Sequence, residues 1–451
     1  MKADNHRDLT GRYALVHLFF WAVRSALPAF AALYLQEKGI GASGTGVFLA
    51  IVSVMPALIM PYLAGKADRS MKWGLRAFFF AVSAVLVVML LVLMPGRLFG
   101  FSLLTVYFAA LVSSSVSEPF LNSMSGYYER HHFHMNFGVS RGIGSLSFAV
   151  SSYVLGRMIV WKSVDVIPWF AFAALALCCA AMLLLPPTVP SGVDSVGMDV
   201  PGGEAEPAEK EVSEGEAEPA GKEVSEGAEN ALKSEKSGMP SRAGQGKDSV
   251  SSGSSSLGMF LRRYPRYTIL MTGFLFVAVF HQMTETYIFN MMEHLGGNSG
   301  SAGTALLIAN VAEFAVIFNF ERFRKLLPAS RWLVLTAWMF ALKGILFFVA
   351  PNIPFMYAAQ ALQAVTFGFY APSMVHFAEE EVEPADAVRG QSVFMAAFTL
   401  GGSLGNLAGG LLLGHFSVPV MLAAAAGAAI LGALISLVSL RRGLRPQVRA
   451  H

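Results

Sequence analysis

Apolar residues run in blocks of about 20 along nearly the whole chain, separated by short polar connections. A helix of that length rises roughly 30 Å, enough to cross the hydrocarbon layer of a bilayer. Twelve such blocks are predicted. The first six span 13–35, 44–64, 74–94, 100–122, 136–156 and 166–185. The second six span 266–290, 302–320, 332–350, 354–376, 390–413 and 418–440. The pattern predicts an all-α polytopic membrane protein with twelve transmembrane helices. One six-helix bundle covers 1–186, a second covers 263–440, and a short tail covers 441–451. Most connections are short, so consecutive spans are expected to lie antiparallel beside one another.

The stretch 187–262 breaks the pattern. Residues 187–258 hold 14 acidic and 6 basic residues among many Ser, Gly and Pro. Residues 203–214 (GEAEPAEKEVSE) recur almost unchanged as 215–226 (GEAEPAGKEVSE). Such a composition buries too little apolar surface to offset its ordering entropy. It is expected to be a disordered cytoplasmic tether, with docking of a regulator as the other reading.

Basic residues set the orientation. With the N-terminus inside, the inner segments outside the tether carry 17 Lys and Arg, and the outer loops carry four: Lys38, Arg97, Arg157 and Lys162. Both termini are therefore expected in the cytoplasm, in a multi-pass protein of the cytoplasmic membrane.

Composition agrees. The chain of 451 residues is 54% hydrophobic and 14% charged, against about 25% charged in soluble domains. A nucleic-acid binder, a soluble enzyme and a secreted disulfide scaffold are excluded on this ground. The two cysteines, Cys178 and Cys179, are adjacent and cannot crosslink separate elements. Arg24 interrupts the first apolar block, so it does not read as a signal peptide. The net charge of +3 conceals an asymmetry: the acidic stretch carries −8 and the other 379 residues +11.

Six ionisable residues fall deep in the apolar blocks, where charge is costly and points to function. They are Arg24, Glu118, Arg141, Glu285, Glu313 and Lys343, three bases and three acids. Mutual pairing would hold them. Interhelical salt bridges alone would explain one pair; six, spread over both halves, favour a substrate or proton role. His281 lies one helical turn before Glu285, a spacing that suits a proton relay or a hydrogen-bonded core histidine. His131, His132 and His134 lack a matching ligand framework and read as a surface loop. His376 and Glu379 to Glu381 read as a solvated end of span 10. Gly401, Gly402, Gly405, Gly409, Gly410 and Gly414 recur at spacings that let helices approach closely. No nucleophile–base motif or phosphate-cradling loop is present, and no cofactor is expected.

Two stretches carry a resemblance. The 2–3 connection reads Gly65-Lys66-Ala67-Asp68-Arg69-Ser70-Met71-Lys72-Trp73-Gly74, and span 5 opens Phe137-Gly138-Val139-Ser140-Arg141-Gly142-Ile143-Gly144-Ser145. The first is similar to the G-x-x-x-D-R-x-G-R/K loop of the major facilitator superfamily, with Met71 in place of its second glycine. The second is similar to the F/Y-G-x-x-R-x-x-G-S stretch of that superfamily's lactose permease-like and nucleoside permease-like proton symporters. The resemblance implies a conformational latch at Gly65, Asp68 and Arg69, and a substrate-binding Arg141. It also places an aromatic at Phe148, where sugar permeases carry a tryptophan. Glu313 and Lys343 resemble the acid of span 8 and the arginine of span 9 in that branch. Gln360, Gln363 and Thr366 stand where lactose permease has its span-10 lysine, histidine and acid. Proton coupling would then fall to Glu313 and Glu285, with His281.

The expected function is a secondary active transporter that moves a small polar solute, sugar-like or nucleoside-like, by alternating access. Its site would comprise Arg24, Glu118, Arg141, Phe148, Glu285, Glu313, Lys343, Gln360 and Gln363. It is expected to act as a monomer in the lipid bilayer, driven by protons or sodium, with no nucleic-acid partner and no bound metal. Drug or metabolite efflux is one alternative; a transport-dead membrane receptor or scaffold is another. Deleting residues 195–250 should leave solute flux into proteoliposomes largely intact. Normal flux with loss of a cellular response would favour the receptor.

Overall fold

The computed structural model describes residues 8–69, 74–131, 133–187, 257–383 and 386–442. The acidic repeats lie outside these residues, as do the side chains of Gly65, Asp68 and Arg69. The expected tether and latch fall there.

The N-terminal half consists of α1 (Thr10–Ala26), α2 (Ala31–Glu37), α3 (Ala42–Arg69), α4 (Leu75–Leu93), α5 (Gly100–Arg130), α6 (Phe137–Trp161) and α7 (Val166–Leu183). The C-terminal half comprises α8 (Leu257–Arg263), α9 (Pro265–Thr286), α10 (Ile288–His294), α11 (Ser299–Arg324), α12 (Ala329–Val349) and α13 (Ile353–Gln360). A 3-10 turn (Ala361–Ala364), α14 (Phe367–Glu381), α15 (Ala387–His415) and α16 (Val418–Arg442) complete it. Eleven helical spans among the described residues are long and apolar enough to cross a membrane. The twelfth, span 10, is too interrupted to count as one helix, since the 3-10 turn divides it. Their outer surface is apolar, with Val85, Val88, Leu91, Leu342, Ile345 and Val349 exposed, as a lipid-facing surface requires.

Three spans predicted as continuous helices are broken, for local reasons. Pro28 has no N–H to offer the Arg24 carbonyl, and its ring crowds that turn. Span 1 therefore divides into α1 and α2. Span 7 divides at Tyr287, whose hydroxyl donates to the Asn406 carbonyl at 2.9 Å. Span 10 unwinds between Gln360 and Phe367, with Thr366 at φ −96°, ψ −95°. One linker boundary is also corrected. Residues 257–262 form most of α8, because Phe260 is buried against Tyr264 and Tyr267.

Packing departs from chain order. Consecutive spans run antiparallel, but apart from α4 on α5 and α12 on α14 they are minor partners. Within the first half α1 packs on α6 and α7, and α4 on α5 and α7. Within the second, α9 packs on α15 and α16, and α12 on α14 and α16. These are the same pairings shifted by six spans. The contacts between halves obey the same shift: span 2 (α3) meets span 11 (α15), and span 5 (α6) meets span 8 (α11). The molecule is thus two similarly packed bundles joined along two seams.

Both seams tighten at one end. We call the face where α1 begins and α16 ends the termini face, and the opposite one the far face. At the far face, a Cβ on Gly410 would stand 2.5 Å from Gly46 Cα, and one on Gly156 would stand 3.1 Å from Gly303 Cα. The backbones approach so closely only because both sides are glycine. Gln36 and Asn290 exchange amide hydrogen bonds of 2.8 and 3.4 Å across the halves. Further in, Ser403 donates to the Ala50 carbonyl and Asn406 to Ser53, each at 2.9 Å. The far face is therefore sealed by backbone contact and uncharged hydrogen bonds.

Gly410→Leu is expected to part α15 from α3 and loosen this seal. In a chain with Cys178 and Cys179 replaced by Ser, Asn290→Cys should then be alkylated several-fold faster. An unchanged rate would show that the glycine contact does not hold the face shut.

Candidate functional site

Three cavities lie between the halves. The innermost, about 370 Å³, is lined by Arg24, Ser115 and Glu118 from one half and Gln282, Thr286 and Asn406 from the other. The second, about 200 Å³, shares Arg24, Gln282 and Thr286 and adds Trp21, Phe148 and Glu285. The third, about 700 Å³, runs between α6 and α11 from Arg141, Ser145 and Glu313 toward Asn136 and Phe318. Those last residues lie toward the termini-face ends of α6 and α11. The seams close at the far face, and the largest of the three cavities lies toward the termini face.

Helix spacing and helix breaks place the charges. Arg24 sits two residues before the end of α1 and faces α5. Its guanidinium donates to Ser115 at 2.9 Å and lies 3.6 Å from the Glu118 carboxylate. Ser115 and Glu118 are one turn apart, and Pro119 follows Glu118 within α5. In the other half the Lys343 ammonium donates to the Gln363 amide oxygen at 2.7 Å and stands 4.0 Å from Glu285. Gln363 in turn donates to Glu313 at 3.3 Å. Lys343, Gln363 and Glu313 form a chain from the interior of the C-terminal half to the cavity wall. Four of the six membrane charges thus pair within their own half. Arg141 and Glu313 face the same cavity from opposite halves.

The remaining expected site residues divide. Phe148 lines the second cavity and meets Trp21 edge-on, with centroids 6.3 Å apart. Lys343, Gln360 and Gln363 were expected to line the cavity, but none lines these three; they are 1%, 0% and 4% exposed. Lys343 and Gln363 reach it through Glu285 and Glu313. Gln360 has no partner for either amide atom among the described residues. The His281 ring stacks on Phe367, with centroids 4.9 Å apart, and touches Phe340 and Phe398. Its immediate setting is aromatic. The end of span 10 is less solvated than expected, because Glu381 pairs with Arg266 at 3.0 Å. Among the described residues, no cluster of three or more His, Cys, Asp or Glu could hold a metal ion.

Several lining residues escaped the sequence reading: Trp21, Ser115, Gln282, Thr286 and Asn406. A signal existed for the first three. Trp21, Ser115 and Gln282 each precede a membrane charge by three residues, so each shares its helical face. Asn406 lay among the span-11 glycines as a lone amide. It links the halves by accepting from Thr286 at 2.6 Å while donating to Ser53.

Two packed bundles around a cavity sealed at one face are the architecture of an alternating-access transporter. The family model described as "MFS_1 like family" matches residues 11–423, and the chain belongs to that family. It is a multi-pass membrane transporter of the major facilitator type, not an enzyme. The fold is similar to solved transporters of low sequence identity. The nucleoside transporter NupG superposes with a TM-score of 0.71 at 13% identity, covering 96% of this chain and 99% of that one. The POT family transporter PepTSo gives 0.62 at 12%, covering 96% and 97%. A bacterial homolog of the human lysosomal transporter Spinster, inward-facing and occupied, gives 0.59 at 11%, covering 95% and 96%. No curated protein sequence matches the chain.

Removing one member of a buried ion pair strands the other charge and costs about 3–5 kcal/mol. Lys343→Met should therefore lower the Tm of the detergent-purified protein markedly. Adding Glu285→Gln should restore most of the loss. A double variant as unstable as the single would refute the pairing.

Proposed function

We propose that the protein is a proton-coupled symporter that imports a small polar solute, nucleoside-like or sugar-like, across the cytoplasmic membrane. One observation carries the reading. Arg141 and Glu313 face one cavity from opposite halves, and both seams between the halves are drawn together at the far face by glycine contacts. Arg141 offers a planar fork of donors suited to vicinal hydroxyls or a carboxylate. Gln282, Thr286 and Asn406 add uncharged donors and acceptors deeper in. Such a surface suits a hydroxyl-bearing solute better than an oily one. The fold likeness to a nucleoside transporter favours the same class.

Glu313 is the coupling group in this reading. Ionised, it holds the Gln363 amide and, through it, the Lys343 ammonium. A proton on Glu313 weakens that hold, since hydrogen bonds to a charged acceptor are the stronger kind. Lys343 then leans on Glu285 alone. The proton thereby selects between two arrangements of the C-terminal half, and His281 adjoins the same helix face as Glu285. The 17-to-4 bias of basic residues puts the termini face in the cytoplasm. This conformation is then inward-facing, with Gly65, Asp68 and Arg69 assigned as the latch of the outward-facing one. Each chain holds a whole cavity, so the monomer suffices.

Proteoliposome flux under an imposed pH gradient, screened over nucleosides, sugars and organic acids, tests class and coupling together. Acid outside should drive accumulation of one polar solute. Glu313→Gln should abolish that accumulation and leave solute exchange at equal pH. Undiminished pH-driven accumulation in this variant would move coupling elsewhere, and accumulation driven by a sodium gradient alone would assign sodium.

A further inference from the structure

One contact is left over once the charges are paired. The Arg141 guanidinium lies over the Trp21 ring, 3.8 Å from its centroid. Among the described residues Arg141 also donates to Ser145 at 2.7 Å, but makes no ion pair. Its charge is thus met by an aromatic face and a hydroxyl.

The surface of α6 is shaped to hold that ring. Residues 141, 144 and 148 fall on one helical face. Arg141 covers the indole, and Phe148 meets it edge-on. Between them Gly144 leaves the room, since any Cβ there would overlap the pyrrole edge of Trp21. The indole N–H is buried and has no partner among the described residues, although buried tryptophans usually find one. The side chain is therefore held for its ring face, not for its donor. Its position also matters. Trp21 lines the 200 Å³ cavity and Arg141 the 700 Å³ cavity, so the stack stands between the two chambers.

We infer that Trp21 is a solute-binding residue, a stacking platform for a planar ring, which Arg141 covers in this conformation. The inference rests on the nucleoside-like reading and sharpens it: the solute carries a flat heterocycle as well as hydroxyls. On entry from the large chamber, the heterocycle takes the guanidinium's place on Trp21. Arg141, freed from the ring, turns its donors to the solute's polar groups. Cation and base compete for one π-face, and each finds it attractive. The exchange leaves neither the guanidinium nor the ring uncovered at any stage. A sugar without a base has no flat face to offer, which makes Trp21 the residue that separates nucleosides from sugars.

The test uses the full chain with Trp73, Trp161, Trp169, Trp332 and Trp338 replaced by Phe, so that only Trp21 emits. Without solute, Arg141→Gln should raise acrylamide quenching of Trp21 roughly two-fold or more, because the ring loses its cover. Unchanged quenching overturns the stack. Uridine should shield Trp21 in the otherwise unaltered single-tryptophan chain, and ribose should not. In the native-tryptophan chain, Trp21→Ala should weaken uridine binding roughly ten-fold or more, while Trp21→Phe keeps most of it. Gly144→Ala, which displaces the ring without removing it, should weaken uridine binding in the same direction. Uridine binding unchanged by Trp21→Ala overturns the inference. Transport of ribose but not uridine overturns it too and leaves a sugar transporter standing. If no solute is transported, the transport reading fails, and the Arg141→Gln quenching alone decides whether the stack exists.

Discussion

A charge inside a bilayer must have either a partner or water, and this constraint organises the molecule. Arg24 has Glu118 and Ser115. Lys343 has Gln363 and Glu285. Arg141 and Glu313 have the cavity, with an indole and an amide to steady them. Each solution fixes which helices face inward. Spans 1, 4, 5, 7, 8 and 9 carry these groups and cannot turn them to lipid. Spans such as α4, whose one charge, Arg76, sits at its termini-face end, form the outer wall.

The same constraint explains where the helices break. An unwound backbone is tolerated at membrane depth only when buried in protein or lining a cavity. The breaks at Pro28, Tyr287 and Ala361–Thr366 all fall beside membrane charges or their partners. Irregular backbone and ionisable side chains are thus gathered at one level. The glycine seams at the far face use the opposite device. They hold the halves together without charge, by close backbone approach, a contact that can part without stranding an ion. A transporter needs both: a polar centre that stays satisfied and a seal that opens at small electrostatic cost.

Much of this was legible in the chain. The twelve spans, the two halves and the six membrane charges follow from hydropathy alone, because each residue's transfer cost is local. Two pairings were also implicit in the balance of three bases and three acids. The partners themselves were not legible. Nothing in the order of residues says that Arg24 faces Glu118 rather than Glu285, since helix rotation and bundle packing set that choice. Trp21 shares a helical face with Arg24, but a tryptophan in an apolar run reads as core packing; Gly144 and Arg141, more than a hundred residues away, give it its role. Gln360 and Gln363 were expected to line the cavity from the resemblance in span 10, and Lys343 as a membrane charge, yet all three are buried behind its wall.

By itself, then, the sequence determined that this is a helical membrane protein in two halves, and which residues are too costly to leave exposed to lipid. Those properties depend on local composition and on the 3.6-residue turn. Which charges pair, where the cavity lies and which face is sealed were decided only by the tertiary structure. The pairings depend on helix rotation within each half, and the cavity and the seal on contacts between the halves, such as Gly46 on Gly410 and Ser53 on Asn406, that lie more than 350 residues apart.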